Sequence, residues 1–328
     1  MEFPREIHRI EIPTPFAVGS MNSYLIEGDP VILIDTGPKT DEALSTLRKG
    51  LIRAGYTLED IDHVLLTHGH VDHTGLAGTI VRENEHKGDS STGVSIHEAD
   101  SNRVTDYEDF TKERAQSYNH IIEIAGVRTD ERPHMPGGYL ETYFLKFGES
   151  IPDVFLLEEG TTIKTSIGTL RTIWVPGHSL GSCCFVCKES KIAFSGDHVL
   201  GTISSNPSLD YDISEQISMV RYIGSLKRME SLSGYIVLPG HRDTITDLSK
   251  RISELQAEYS LKLDQMRGFL SSQPRTLYWL SRKQFGDYDA NSLVLALAET
   301  YDLLRILESR GEAVIEDNEG VIEAISPS

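Results

Sequence analysis

The chain has 328 residues, with 31 Lys and Arg against 50 Asp and Glu, a formal charge of −19, and 39% hydrophobic and 25% charged residues. That composition excludes a disordered, collagen-like or fibrous chain, and the length admits two domains or one large one with an appendage. The acid excess repels RNA, DNA and anionic lipid, so the expected partner is a small molecule, not nucleic acid or a membrane.

Apolar runs Tyr24–Ile26 and Val31–Ile34 flank Gly28-Asp29-Pro30 and predict a hairpin ending in Asp35-Thr36-Gly37-Pro38. Leu44, Leu47, Leu51 and Ile52 predict a helix closed by Gly55. A buried strand at 63–66 runs into Thr67-His68-Gly69-His70-Val71-Asp72-His73, followed by a helix over 74–82 and a strand at 94–97. Residues 98–155 break the rhythm and predict an inserted helical cap, with Pro133, Pro136, Gly137 and Gly138 near its middle. It holds Tyr107, Phe110, Tyr118, Tyr139, Tyr143, Phe144, His120 and His134, and is read both as a packed appendage and as a lid over a pocket.

Strand patterns return at 161–165, 170–175, 183–186 and 191–194, then a helix over 214–232 and a last strand at 235–238. Beyond about residue 248, helical spacing of Leu248, Ile252, Leu255, Tyr259, Met266 and Leu270 opens a second unit. Further helices at 276–283 and 291–309 precede a hairpin around Asp317-Asn318-Glu319-Gly320. The boundaries are therefore 1–247 for a main domain and 248–328 for a winged-helix-like one.

Cys183, Cys184 and Cys187 are the three cysteines. They are too few and too closely spaced for a disulfide framework and are read as core residues, Cys184 on the opposite strand face from the other two. The N-terminus lacks a secretory apolar run and no segment approaches ~20 apolar residues, which predicts a cytoplasmic chain.

The segment His68-x-His70-x-Asp72-His73 sets four metal-competent side chains within six residues just past an apolar strand. Imidazole nitrogens and carboxylate oxygens suit zinc and similar ions. Alternate side chains of such a loop can face one ion while the others reach a second. The same order of strand, glycine and ligand recurs at Gly177-His178, Gly196-Asp197 and Gly240-His241.

Taken together, the LIDTG run at Asp35, the H-x-H-x-D-H segment, His178, Asp197 and His241 resemble the metallo-β-lactamase-fold hydrolase superfamily over about residues 20–245. Glyoxalase II, lactonases, phosphodiesterases and RNA-processing nucleases belong to that family. The resemblance implies an α+β fold, a four-layer αββα sandwich. It implies that His68, His70 and His178 hold one metal, that Asp72, His73 and His241 hold a second, and that Asp197 bridges them. Asp72 and Asp197 are then the catalytic carboxylates, and Asp35 orients ligands. The implied cofactors are two Zn2+, with Mn2+ or Fe2+ as alternatives, and a water between them is the implied nucleophile. Histidine at 70, where di-iron relatives carry a carboxylate, favours hydrolysis over redox chemistry. Aspartate at 197, where β-lactamases commonly carry cysteine, points away from antibiotics. His198 is read as a substrate contact or a packed side chain.

The C-terminal unit resembles the winged-helix appendage of relatives such as the β-lactamase-like protein 2 branch of endoribonucleases. Yet residues 250–328 carry 9 Lys and Arg against 13 Asp and Glu. Its expected contact is the main domain or a second copy of the chain, through the apolar helix near 291–307. The favoured function is hydrolysis of a small thioester, lactone or related acyl compound. Metal-dependent phosphodiester or RNA cleavage, and ligand binding with weak turnover, are the other readings.

Overall fold

Short apolar strands joined by tight turns build two facing sheets. The computed structural model describes residues 4–85, 92–128, 139–211, 216–288 and 292–327. His134, Pro133, Pro136, Gly137, Gly138 and the expected helix starts at Ser214 and Asn291 lie outside them. The first sheet orders β1 (Ile7–Ile12), β2 (Met21–Ile26), β3 (Ile32–Ile34), β4 (His63–Leu65), β5 (Gly93–His97) and β6 (Phe155–Leu157) side by side. The first three are antiparallel and β3 to β6 run parallel. The second sheet holds β7 (Thr162–Thr165), β8 (Gly168–Trp174), β9 (Cys183–Cys187), β10 (Ile192–Gly196) and β11 (Ile236–Pro239). Here β10 and β11 are parallel and the other pairs antiparallel, so β8, β10 and β11 point the same way.

Alternation along each strand sends one set of side chains between the sheets. Tyr24, Ile26, Ile32, Ile34 and Leu65 meet Leu170, Phe185, Phe194 and Leu238 there. Cys183 and Cys187 face this inner layer, while Cys184 faces the helices behind the second sheet. All three are free and buried.

Helices cover the outer faces, completing the αββα sandwich. Leu47 and Leu51 of α1 (Asp41–Ala54) and Ile80 of α3 (Ala77–Asn84) pack on Leu33, Val64 and Val94, with the short α2 (Val71–Thr74) between those helices in sequence. The Thr40 hydroxyl accepts from Ala43 N–H, and Gly55 at φ 88° ends α1. Ile52, expected on the apolar stripe, is 66% exposed. Its position, five residues from Leu47, lies about 140° round the helix from the buried face. Strand β1 was not legible in the apolar runs, because its alternating pattern is interrupted by His8, Arg9 and Glu11. The helix expected over 74–82 is split, with Gly75 and Leu76 between α2 and α3.

Between β5 and β6 lie α4 (Asn102–Thr105), α5 (Tyr107–Ile124) and α6 (Tyr139–Phe144). His120 is exposed on α5. Behind the second sheet, α7 (Ser218–Met229) is followed by α8 (Leu248–Phe269), α9 (Leu277–Phe285) and α10 (Leu293–Ser309). A small sheet follows, with β13 (Val314–Asn318) and β12 (Arg275–Thr276) flanking β14 (Val321–Ile325). One group of buried side chains runs from Val175, Cys184 and Val237 through Tyr222 to Leu255, Tyr259, Leu297 and Leu304. The expected boundary at 247/248 thus falls along a shared core. Leu293, Leu297, Leu303, Leu304 and Leu307 of α10 are buried inside the chain itself, while Val294, Leu295 and Tyr301 are half-buried. Among the described residues, no helix is long and apolar enough to cross a membrane.

Asp302 of α10 is fully buried, accepting from Met219 N–H at 3.1 Å and Ser208 Oγ at 3.0 Å. Burial pushes its carboxyl up to about 6, against the lowering effect of those two donors. A folded pKa above the unfolded value of 3.8 means extra stability that is complete below that value and is lost as pH rises through about 6. Asp302→Asn keeps an acceptor for both donors and removes the buried charge. It is expected to raise the stability of the metal-free chain at pH 8 by about 1–3 kcal/mol and to flatten the fall between pH 4 and 6. Urea denaturation of the two proteins across that range checks this; an unchanged slope contradicts it.

Candidate metal centre

The ends of β3, β4, β8, β10 and β11 deliver their following loops to one place. After β4 the chain bends at Thr67 and His68, and His70 caps α2, which carries Asp72 and His73. His178, Asp197 and His241 follow β8, β10 and β11. Among the described residues, three groups of ligand atoms lie within 4.8 Å of one another: His68, His70 and His178; His68, His73 and Asp197; Asp72, His73 and His241. Every residue expected in the metal sites is therefore in the cluster.

Asp197 sits at its middle. Its Oδ1 is 3.4 Å from His73 Nε2, and its Oδ2 is 3.4 Å from His241 Nε2 and 3.7 Å from His178 Nε2. Asp72 Oδ2 is 3.3 Å from His241 Nε2, and His68 Nε2 is 3.1 Å from His70 Nδ1. The far sides of the rings are tied down. His73 Nδ1 meets Asp35 Oδ2 at 2.8 Å, and His241 Nδ1 donates to Ser20 O at 2.8 Å. These bonds leave each Nε2 facing inward, the tautomer a metal ligand needs. Asp35 also accepts from Thr67 N–H and Thr67 Oγ, both at 2.8 Å, and reaches this pose from a left-handed φ of 57°. Aspartate tolerates that region better than most side chains.

The electrostatics divide the cluster. Burial, helped by neighbouring imidazoles, holds His68 and His70 well below the ordinary imidazole value, and burial lowers His178 too. Burial also opposes charge on His73 and His241, but Asp197 and the other carboxylates outweigh it and raise both. Asp72 and Asp197 lie below the usual carboxylate range; burial works against them, and the His73 and His241 rings prevail.

Divalent cations fit these residues. His70 Nε2, both ring nitrogens of His178 and Asp197 Oδ1 are buried without a hydrogen-bond partner. Buried polar atoms without partners are costly, and cations held by these groups would satisfy one nitrogen of each ring and the Asp197 oxygen. Five imidazoles and two carboxylates form a donor set suited to zinc-type ions.

Two glycines show why the ligand loops read as they do. At Gly240 an added Cβ would overlap Asp197 Oδ1 and lie 2.6 Å from His73 Cε1. At Gly196, where φ is 49°, it would overlap Thr67 Oγ1. His198 does not join the cluster. Its buried ring packs edge-on against Tyr222 with centroids 5.1 Å apart. Burial, with His178 nearby, pushes its pKa down to about 3.

Several supporting residues had no sequence signal. Asn22 Nδ2 donates to Pro239 O at 3.0 Å and Arg242 O at 2.9 Å, clamping both sides of His241. Tyr24 Oη donates to Pro239 O at 2.8 Å. The Ser20 carbonyl and Thr67 act through contacts between segments far apart in sequence.

Comparison with known proteins places the chain among relatives. The chain is 28% identical over 321 residues to "Probable metallo-hydrolase YqjP" of Bacillus subtilis, covering 96% of each chain. It is 28% identical over 247 residues to thioesterase pkgB of Emericella nidulans, covering 74% of this chain and 51% of that one. An atrochrysone carboxyl ACP thioesterase of Aspergillus fumigatus is 27% identical, covering 72% of this chain and 41% of that one. The chain thus spans about half or less of those two fungal relatives. A metallo-beta-lactamase family protein of Thermus thermophilus shares the fold at a TM-score of 0.82 and 23% identity, covering 99% of both chains. The family description "Metallo-beta-lactamase superfamily" matches residues 17–241. The chain belongs to the metallo-β-lactamase superfamily of hydrolytic metalloenzymes.

Proposed function

We propose that the chain is a binuclear, zinc-type hydrolase that cleaves a small thioester, or a lactone or related acyl compound. The observation that carries this reading is the pair of ligand groups, His68–His70–His178 and Asp72–His73–His241, with Asp197 within reach of both. Bound there, two cations supply a nucleophile from water near neutral pH and polarise the acyl carbonyl. The chain's own groups do the rest. Asp35 and Ser20 O hold His73 and His241 in the ligating tautomer. Asp72, held ionised by the His73 and His241 rings, is assigned as a ligand of the second cation and as the carboxylate that would take up the proton given up by water.

Three aromatic rings on loops tied to the segments near Asp35 and His241 are assigned to contact the acyl group. Phe16 stacks on Phe144 at 6.0 Å and meets Phe147 edge-on at 5.3 Å. Phe147 O accepts from Lys39 N–H near the Asp35 turn, and the loop holding Phe16 ends at Ser20, which binds His241. The names of the fungal relatives favour a thioester among acyl substrates. The charge of −19 disfavours RNA.

The test is to assay the zinc-loaded protein on acyl thioesters, lactones, phosphodiesters and RNA, with Asp197→Ala as blank. Turnover of a thioester or lactone well above the blank is expected. Phosphodiester or RNA cleavage without acyl turnover would overturn the substrate class.

A further inference from the structure

We infer that Asp100, through four hydrogen bonds to two ligand-bearing loops and to Arg103, is a positioning residue for the trio His68, His70 and His178. The inference rests on reading that trio as a cation site. Asp100 lies just past β5 and is fully buried. Its Oδ2 accepts from Gly69 N–H at 2.8 Å, the peptide between His68 and His70, and from Ser179 Oγ at 2.5 Å, beside His178. Its Oδ1 accepts from Gly181 N–H at 2.9 Å and Arg103 Nε at 3.1 Å. One carboxylate thus fixes both loops that present the trio.

Arg103 extends the tie to a third loop. Its Nη2 donates to Asp210, which is also buried and belongs to the segment after Asp197. Arg114 of α5 donates from Nη2 to Leu209 O at 3.0 Å and anchors that segment to the insert. The Arg103 stem covers Gly69 so closely that an added Cβ would overlap it. Asp35, by contrast, bonds the His73 ring directly and reaches His68 only through Thr67, whereas Asp100 holds the backbone around the trio.

Asparagine cannot replace Asp100 here. An amide NH2 in place of Oδ1 would face the Gly181 N–H and the Arg103 Nε–H, and in place of Oδ2 it would face the Gly69 N–H, while the Ser179 hydroxyl can turn to accept. The probe is Co2+ titrated into the metal-free protein and followed by visible absorption, with His178→Ala marking the equivalent bound by the trio. In Asp100→Asn that equivalent is expected to bind about 10–100-fold more weakly while the other is unchanged. Ser179→Ala removes one bond without a change of charge, and should weaken the same equivalent by less. Equal weakening of both equivalents, or none, overturns the assignment, because a general loss of stability would not choose between them. If the wild-type chain binds no Co2+ pair, the metal-centre reading fails. Amide exchange at Gly69 and Gly181 of the metal-free protein then decides the role of Asp100: faster exchange in Asp100→Asn supports it, and unchanged exchange overturns it.

Discussion

Asp197→Ala is expected to abolish stoichiometric binding of both cations and to lower kcat/KM by about a thousandfold or more, on the scale of losing a principal electrostatic group in an active site. Three imidazoles converge on this carboxylate, His73 and His241 at 3.4 Å and His178 at 3.7 Å. Removing it takes away the carboxylate within reach of both groups, so each cation would lose an anionic oxygen donor and neither half keeps its affinity. Elemental analysis and hydrolysis assays check both parts. A variant retaining both metals and near-wild-type turnover contradicts the central place given to Asp197.

Gly240→Ala, a change of one methyl group, is expected to lower activity about a hundredfold or more and to destabilise the fold by about 1–3 kcal/mol through overpacking. The new Cβ would collide with Asp197 and lie 3.2 Å from the Gly196 carbonyl carbon. The backbone has little room to retreat, because Gly240 N–H donates to Gly196 O at 2.8 Å and Gly240 O accepts from Asn22 N–H at 2.6 Å. Gly224→Ala is the control, since nothing lies within 4 Å of its added Cβ on the exposed side of α7. There alanine is expected to be neutral or to stabilise by about 0.5–1 kcal/mol. Equal behaviour of the two variants in activity and urea midpoint would contradict the account.

Those glycines explain why so much of the centre was legible. Each of the glycines directly before His178, Asp197 and His241 lies where an added Cβ would collide, with Tyr222, Thr67 and the ligands Asp197 and His73 respectively, so the close packing is written in the sequence. The H-x-H-x-D-H segment is likewise local, since one strand end and the first turn of α2 aim all four side chains. Asp100, Arg103 and Asp210 were not legible. Their roles depend on partners 31 to 107 residues away, and a lone aspartate past a strand resembles any surface acid. Ile52 shows the same limit from the other side, for an apolar residue at plausible helical spacing can still face water. The apolar run of α10 marked it as covered without naming the elements of the chain that pack on its buried face.

Metal content and position test the central claim most directly. Crystals of the zinc-supplemented protein, measured at the zinc absorption edge, are expected to show about two anomalous peaks per chain. One should lie among His68, His70 and His178 and the other among Asp72, His73 and His241. A supplemented protein without bound metal, or with its ions bound elsewhere, would contradict the account.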